Sequence, residues 1–459
     1  MRITLTDIFN LTGSVIYNPD NFKSVSKVSI DSRTIGKGAM YVAIKGEKFD
    51  GHNFIRDAIK KGASSIIINK NRLKNFKDIT CTIITVPDTI KAYGELASFF
   101  RNKFKGTVIS LTGSNGKTTT KEILSTLLSE KYKVQKTEAN NNNHIGVPKT
   151  IFSLKQNTEV LLLEHGTNHF GEIEYTAKIA KPDYALLTNI GDSHLKYLGD
   201  KEGVYNEKSS LFNETLKNNG ILFINNDDKI IREKTKKIKN KISFGFKGKP
   251  DIKGKVLNYT DDGRTRLSVT YKNKNIEFVL PLFGKSNAEN FLAAISIAFA
   301  LGLSVTSIKK GISKVQQVKG RLFVERFHNF ILIDDSYNSN PASVKVALDL
   351  INKVKIYNTK TVILADMLEL GKDAKLMHVQ LRDIILKSKI TNLYLIGKLM
   401  KNLAVVLSNS KINVEYFSSR NSLKKFINKK NFRNEIILIK GSRGMRTEVF
   451  VEQIKEKEN

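Results

Sequence analysis

One short stretch limits the fold of this chain more than any other. Residues 107–128, TVISLTGSNGKTTTKEILSTLL, run from an apolar strand through a glycine turn straight into an amphipathic helix. Val108, Ile109 and Leu111 supply the strand, and Ile123, Leu124, Leu127 and Leu128 recur at the spacing of a helix face. Between them, Gly113 and Gly116 let backbone N–H groups approach an anion closely, Lys117 adds a mobile positive charge, and the Thr118 hydroxyl suits Mg²⁺ at the helix N-terminus. The match to the phosphate-loop pattern is incomplete, because Leu111 stands where that pattern has its first glycine. The strand before the turn, the Lys-Thr pair inside it and the helix after it still favour a nucleotide-binding loop over an ordinary tight turn. Its candidate contacts are Gly113, Ser114, Asn115, Gly116, Lys117, Thr118 and Thr119.

The same strand-then-helix grammar recurs along the chain. Residues 1–84 read as a small α/β unit, with two strands in VSIDSRTIGKGAMYVAI and a helix followed by a buried strand in FIRDAIKKGASSIIIN. Residues 85–317 open with a helix over Ile90 to Phe104 and then alternate strands near Val160, Leu186 and Leu222 with helices, ending in FLAAISIAFALGL. Residues 318–459 alternate again, with strands at FILIDD, TVILAD, NLYLIG and EIILIKG. At about 150 residues per domain the length of 459 suits three domains, and 40% hydrophobic residues suffice for separate cores. The expected fold is α/β, with parallel sheets covered by helices in the two larger domains.

Several function classes recede. The single Cys81 excludes a disulfide framework and suggests a reducing compartment, and MRITLTDIFN lacks the charged and apolar parts of a secretion signal. The longest nearly apolar run, Phe291 to Leu303, is too short to cross a bilayer and reads as a buried helix. A cytoplasmic protein without membrane insertion is expected. The net charge of +32 could mark a nucleic-acid partner, which would make this a basic ATPase acting on DNA or RNA. Yet the lysines are spread along the whole chain among abundant Asn and Ile, with no aromatic-interleaved RNA motif and no zinc spacing. They read as a solvated surface, and no nucleic-acid partner is expected.

In open parallel sheets ligands sit beyond the carboxyl ends of strands. Four strand ends here are rich in chemistry. One leads to Glu164, His165 and Gly166, and a second to Asn189, Gly191, Asp192 and His194. A third leads to Asp334, Asp335, Tyr337 and Asn338, and the last to Lys440, Gly441, Ser442 and Arg443. Together they predict one shared cleft.

These motifs resemble the Mur ligases of bacterial cell-wall synthesis over essentially the whole chain. The resemblance is carried by DSR with GEKFDGH, then TGSNGKTTTKE, NNNNHIGVP, TNIGDSHLKYLG and EGVYNEKSSLF, and finally DDSYNSNP, ADMLELG and KGSRGMR. DDSYNSNP discriminates best and points to the member that adds D-alanyl-D-alanine to UDP-N-acetylmuramoyl-tripeptide. The resemblance implies a UDP-binding first domain, a central ATP-binding domain and a Rossmann-like third domain in a monomer using ATP and Mg²⁺. It implies an acyl phosphate, made with Lys117 and Mg²⁺ at the transferring group. Glu164 and His194 resemble ligands of a second Mg²⁺. Lys208 resembles the lysine that most of the family carbamoylates, a reaction that needs a neutral amine. By the same resemblance Asn141, Asn142 and Asn143 would contact substrate, and Asn290, Arg321 and Asp335 the nucleotide. Ser32, Arg33 and His52 would contact UDP. Tyr337, Asn338, Asn340, Ser442 and Arg443 would shape the pocket for the incoming dipeptide.

Overall fold

The computed structural model describes residues 1–260 and 264–457. Residues 261–263 of the expected central unit and the last two of the expected C-terminal unit lie outside the described residues. The chain builds three sheets in sequence order. The first has five strands, in the order Val15–Tyr17, Thr82–Val86, Ser65–Asn69, Met40–Val42 and Val28–Ser29. Only the first of these pairings is antiparallel. Ile66, Ile67 and Ile68 are all buried, as a parallel strand covered on both faces requires.

The expected helix before the phosphate loop spans Thr89–Asn102 and is started by Asp88, whose side chain accepts the N–H groups of Ile90 and Lys91. Its Ala92, Leu96, Ala97 and Phe100 share one buried cluster with Met40 and Ile84 of the first sheet and with Val108, Leu161 and Leu163 of the second. The helix therefore belongs to two cores at once, which is why no loop or charge run marks a boundary there.

The second sheet has nine strands. From one edge they run Val134–Lys136, Val160–Glu164, Thr107–Thr112, Tyr184–Leu187, Ile221–Asn225, Lys241–Gly245 and Ile252–Tyr259, all parallel. Two antiparallel strands, Arg264–Tyr271 and Lys274–Phe283, complete it. That edge corrects the expectation of a purely parallel sheet. Its signal was present in the alternation of Leu267 and Val269 with the polar Arg266, Ser268 and Thr270 and in the Lys272-Asn273 turn, where both residues take positive φ. The strand Thr107–Thr112 lies between strands that follow it in sequence on either side, so the chain reverses direction across the sheet at the phosphate loop. Ligands bind at such a point. The apolar run near Ala294 forms the helix Gly284–Ala300, with Phe291, Leu292, Ala294, Ile295 and Ala298 buried.

The third sheet has six strands, in the order Phe323–Arg326, Phe330–Asp335, Glu435–Lys440, Thr359–Ala365, Asn392–Ile396 and Asn413–Phe417. All pairings but the first are parallel. The four expected strands form its centre, and the two edge strands, shorter of apolar residues, were not anticipated. No helix among the described residues is long and apolar enough to cross a membrane.

Candidate active site

The phosphate loop is built as its residue types demand. Gly113 has φ +151° and Gly116 φ +81°, and a Cβ on Gly116 would lie 2.2 Å from Asn290 Oδ1. Only glycine lets the helix Gly284–Ala300 bring Asn290 against the turn, where Thr120 Oγ1 also donates to it at 3.3 Å. The neighbouring strand end braces the other side. Ser114 N–H donates to Asn189 O, Ser114 Oγ to Gly191 O, and Asn115 N–H to Asn189 Oδ1. Lys117 folds back to donate to Gly113 O at 2.7 Å. Burial lowers its pKa to about 8, with Glu164 opposing that shift and Arg321 adding to it.

Glu164 ends its strand at 2% exposure. One carboxylate oxygen accepts from Thr118 Oγ1 at 3.2 Å and Asn142 Nδ2 at 3.0 Å, while Oε2 has no hydrogen-bond partner. Lys121, fully buried, stands 3.7 Å from that oxygen and donates to Thr137 O at 2.6 Å, and Thr137 Oγ1 in turn accepts the Glu164 N–H. A buried carboxylate oxygen that accepts no hydrogen bond, beside a threonine hydroxyl, fits a hard oxygen-seeking cation. Among the described residues no three His, Cys, Asp or Glu side chains gather as a metal cage. Mg²⁺ held by Thr118 and Glu164 would therefore take its other ligands from phosphate and water, as it commonly does.

A cleft of about 840 Å³ lies over this loop. All four chemically rich strand ends meet there, through Glu164 and Gly166, Asn189 to His194, Asp335, Tyr337 and Asn338, and Lys440, Ser442 and Arg443. Ser114, Asn115, Gly116, Lys117, Thr119, Asn142, Asn143, Asn290, Arg321 and Asn340 line it as well. Asn340 Nδ2 donates across the gap between the second and third sheets to Asn115 Oδ1 at 3.0 Å. Arg321 stacks over the Tyr337 ring at 4.1 Å, with Arg443 5.5 Å from the same ring. His194 lies in the cleft with positive φ, and its Nδ1 is 2.8 Å from Glu369 Oε2, off the line of a hydrogen bond. Asp335 lines the cleft, yet Lys440 Nζ and the Leu322 N–H take one oxygen each.

Other expected site residues lie elsewhere. Thr118 turns its hydroxyl inward to Glu164, and Gly113 sits below the cleft, where its missing Cβ makes room for Thr188 Oγ1. Asn141 braces the substrate segment through its backbone, against which Gly146 packs. Lys208, on the helix Lys201–Lys217, is 1% exposed and has no ion-pair partner among the described residues. Burial drives its pKa well below the usual lysine range, and the nearby Lys117 charge adds to this against the pull of Glu207. Burial thus favours the neutral amine that carbamoylation requires. Ser32, Arg33 and His52 stay in the first domain, outside the cleft. Arg33 pairs with Asp31, and His52 uses both ring nitrogens, one toward Asp50 Oδ1 at 2.6 Å and the other accepting the Asn69 N–H.

Lys121, Thr137 and Glu369 were not singled out from sequence as site residues. Lys121 had a signal, since it lies in phase with Leu124 and Leu128 on the inward face of its helix, where an unpaired lysine is costly. His165, by contrast, follows Glu164 but is structural: Ser110 and Thr176 bond its two nitrogens, and burial lowers its pKa to about 3.

Comparison with known proteins agrees with this geometry. The Mur ligase family catalytic domain matches residues 24–101, the Mur ligase middle domain 111–298, and the Mur ligase glutamate ligase domain 320–443. The UDP-N-acetylmuramoyl-tripeptide--D-alanyl-D-alanine ligase of Bacillus subtilis is 31% identical over 99% of each chain. Two solved structures are similar at 27% identity. The UDP-N-acetylmuramoylalanyl-D-glutamyl-2,6-diaminopimelate--D-alanyl-D-alanyl ligase of Acinetobacter baumannii has a TM-score of 0.84 over 99% of both chains. MurF ligase of Thermotoga maritima in complex with ADP has 0.82 over 94% of this chain and 97% of that one. With three sheets in one order, one cleft between the second and third, and relatives of this identity along its full length, the chain belongs to the Mur ligase family.

Proposed function

We propose that this enzyme joins D-alanyl-D-alanine to UDP-N-acetylmuramoyl-tripeptide at the expense of ATP, forming the muramoyl pentapeptide of the peptidoglycan precursor in the cytoplasm as a monomer. The observation that carries the reading is the cleft in which the phosphate loop and Glu164 face Tyr337, Asn338, Asn340, Ser442 and Arg443 of the third domain. In this division residues 1–84 bind the UDP end of the acceptor through Ser32, Arg33 and His52, 85–317 bind ATP, and 318–459 bring the dipeptide.

A carboxylate and a triphosphate repel each other, so their encounter needs positive charge and oriented donors. Lys117 supplies charge and the backbone N–H groups of Gly116 and Lys117 supply donors, on a loop already held by Asn189, Gly191 and Asn290. Magnesium bound by Thr118 and Glu164 would neutralise phosphate charge. Asn290 and Arg321 flank the nucleotide, and Asn142 and Asn143 orient the acceptor with amides that both donate and accept. Tyr337, between two guanidinium groups, walls the dipeptide site. The amine then displaces phosphate from the acyl phosphate. Lys208, whose amine burial favours in its neutral form, takes up CO2 and releases a proton to become an anionic carbamate near Lys117, and His194 and Glu164 would hold a second magnesium.

A substrate-omission assay tests the reading. Phosphate release should require ATP, the muramoyl tripeptide and D-alanyl-D-alanine together and should be indifferent to DNA or RNA. Purified enzyme that makes no pentapeptide with every component present, or that is stimulated by nucleic acid alone, would overturn it.

A further inference from the structure

Two lysines and two glutamates alternate in a row that runs from the surface into the phosphate site. Lys136, at the end of the strand Val134–Lys136, pairs with Glu122 Oε2, and the other oxygen of Glu122 stands 3.2 Å from Lys121 Nζ. Lys121 in turn stands 3.7 Å from Glu164 Oε2. Side-chain exposure falls along the row, from 26% at Lys136 and 28% at Glu122 to 0% at Lys121 and 2% at Glu164.

The last gap is the widest, and the partners of Lys121 explain why. Its ammonium donates to Thr137 O at 2.6 Å and faces Glu122, so both draw it back from Glu164. Glu122 is fixed from its far side by Lys136. Thr137 is fixed as well, because its Oγ1 accepts the Glu164 N–H, which ties the carbonyl holding Lys121 to the strand end that carries Glu164. A buried ammonium and a buried carboxylate left to themselves close to hydrogen-bond distance, since each has given up its water. Here they stay apart, and Glu164 Oε2 accepts no hydrogen bond. Its charge is balanced while the oxygen itself is left open.

We infer that Lys121 is a resident counter-cation for Glu164, and that Glu122 is the positioning residue that holds it one step short of the carboxylate, so that a divalent cation can take Oε2. The inference rests on the magnesium assignment within the ligase reading above. Lys121 offsets the Glu164 charge before metal and nucleotide arrive, and its restraint by Glu122 and Thr137 keeps it from filling their place. The two residues thus act on cation affinity in opposite senses. The Lys121 charge opposes a second cation, and Glu122 favours one by drawing Lys121 away.

Calorimetric titration of ADP in EDTA and in MgCl2 tests this, because the ratio of the two affinities reports how firmly the cation is held. Glu122→Gln should cut the gain that Mg²⁺ brings by about tenfold, and Lys121→Met should enlarge it by about tenfold. The double variant should match Lys121→Met, since Glu122 acts through Lys121. The thermal midpoint of Lys121→Met should fall in EDTA, where Glu164 is left buried and unpaired, and recover with MgCl2 and ADP. That of Glu122→Gln should stay near the wild type. A lysine that merely supports the fold would lower the midpoint equally in both media and leave the Mg²⁺ gain untouched, which overturns the inference. So does a gain that moves in the same direction in both single variants, and a Glu122 effect that persists without Lys121 overturns its positioning role. If Lys121→Met unfolds in EDTA, Glu122→Gln decides alone, and an unchanged gain there is sufficient to reject the inference. Wild-type ADP binding that gains nothing from Mg²⁺ overturns the magnesium assignment itself.

Discussion

At the scale of single residues, side-chain volume decides the phosphate site as much as charge does. Gly116→Ala adds one methyl that meets Asn290 Oδ1 at 2.2 Å, at a φ of +81° where an L side chain already costs ~1–2 kcal/mol. It should weaken ATP binding at least tenfold by calorimetry while the far-UV circular dichroism stays native. Lys208 shows the opposite economy, a long charged chain with no room for its charge. Lys208→Ala should lose about a hundredfold or more in ligation rate, and a short carboxylic acid that replaces the missing anion should restore part of it. Full activity in the unsupplemented variant would remove its proposed role. Lys117, Thr118 and Gly116 were legible in sequence because loop chemistry is local. Lys121 and Glu369 were not, since what makes each matter is a partner 43 positions away at Glu164 or on another domain at His194.

Secondary-structure elements act here as shared walls and as clamps. The helix Thr89–Asn102 carries Phe100, 2% exposed and edge-on to Phe152 with ring centroids 5.6 Å apart. Phe100→Ala should cost ~3–5 kcal/mol and lower the unfolding of the first and second sheets together, since one cluster serves both. Separate transitions in calorimetry would contradict that shared core. In the third domain His378, on the helix Ala374–Leu386, accepts the Met367 N–H at Nε2 and points Nδ1 to Ala374 O, fixing the loop that presents Glu369 to His194. Burial lowers its pKa. The unfolded chain therefore takes up a proton before the folded one does, and this residue's share of stability is lost as pH falls below about 6.5. The thermal midpoint should drop from pH 7 to pH 5 in the wild type and drop less steeply in His378→Gln. The periodicity of these helices and central strands was readable because it repeats within each segment. The antiparallel edge Arg264–Phe283 was missed because its alternation was subordinate to the prevailing βα rhythm.

Across the whole molecule, the second and third domains meet at the cleft through polar pairs, Asn115 with Asn340 and His194 with Glu369, through Lys353 over the Tyr259 ring at 4.0 Å, and through apolar contacts of Phe283 with the third domain's core and of Met377 with Leu195 and Leu198. The polar pairs that line the cleft suit a gap that opens for substrates and closes to exclude water from an acyl phosphate. Small-angle scattering should show a smaller radius of gyration with nucleotide and both substrates than without them, and an unchanged profile would count against closure. The sequence by itself determined the central strands and main helices, their βα order and the phosphate loop, because these follow from periodicity and from residues within a few positions of one another. It did not determine which strand ends would share a cavity, which carboxylates would be spent on Lys440 or on loop N–H groups, or where the UDP-site candidates would lie relative to the rest. Those were decided by tertiary structure alone, because burial, the loss of water around a charge and the meeting of groups hundreds of residues apart exist only once the sheets have packed.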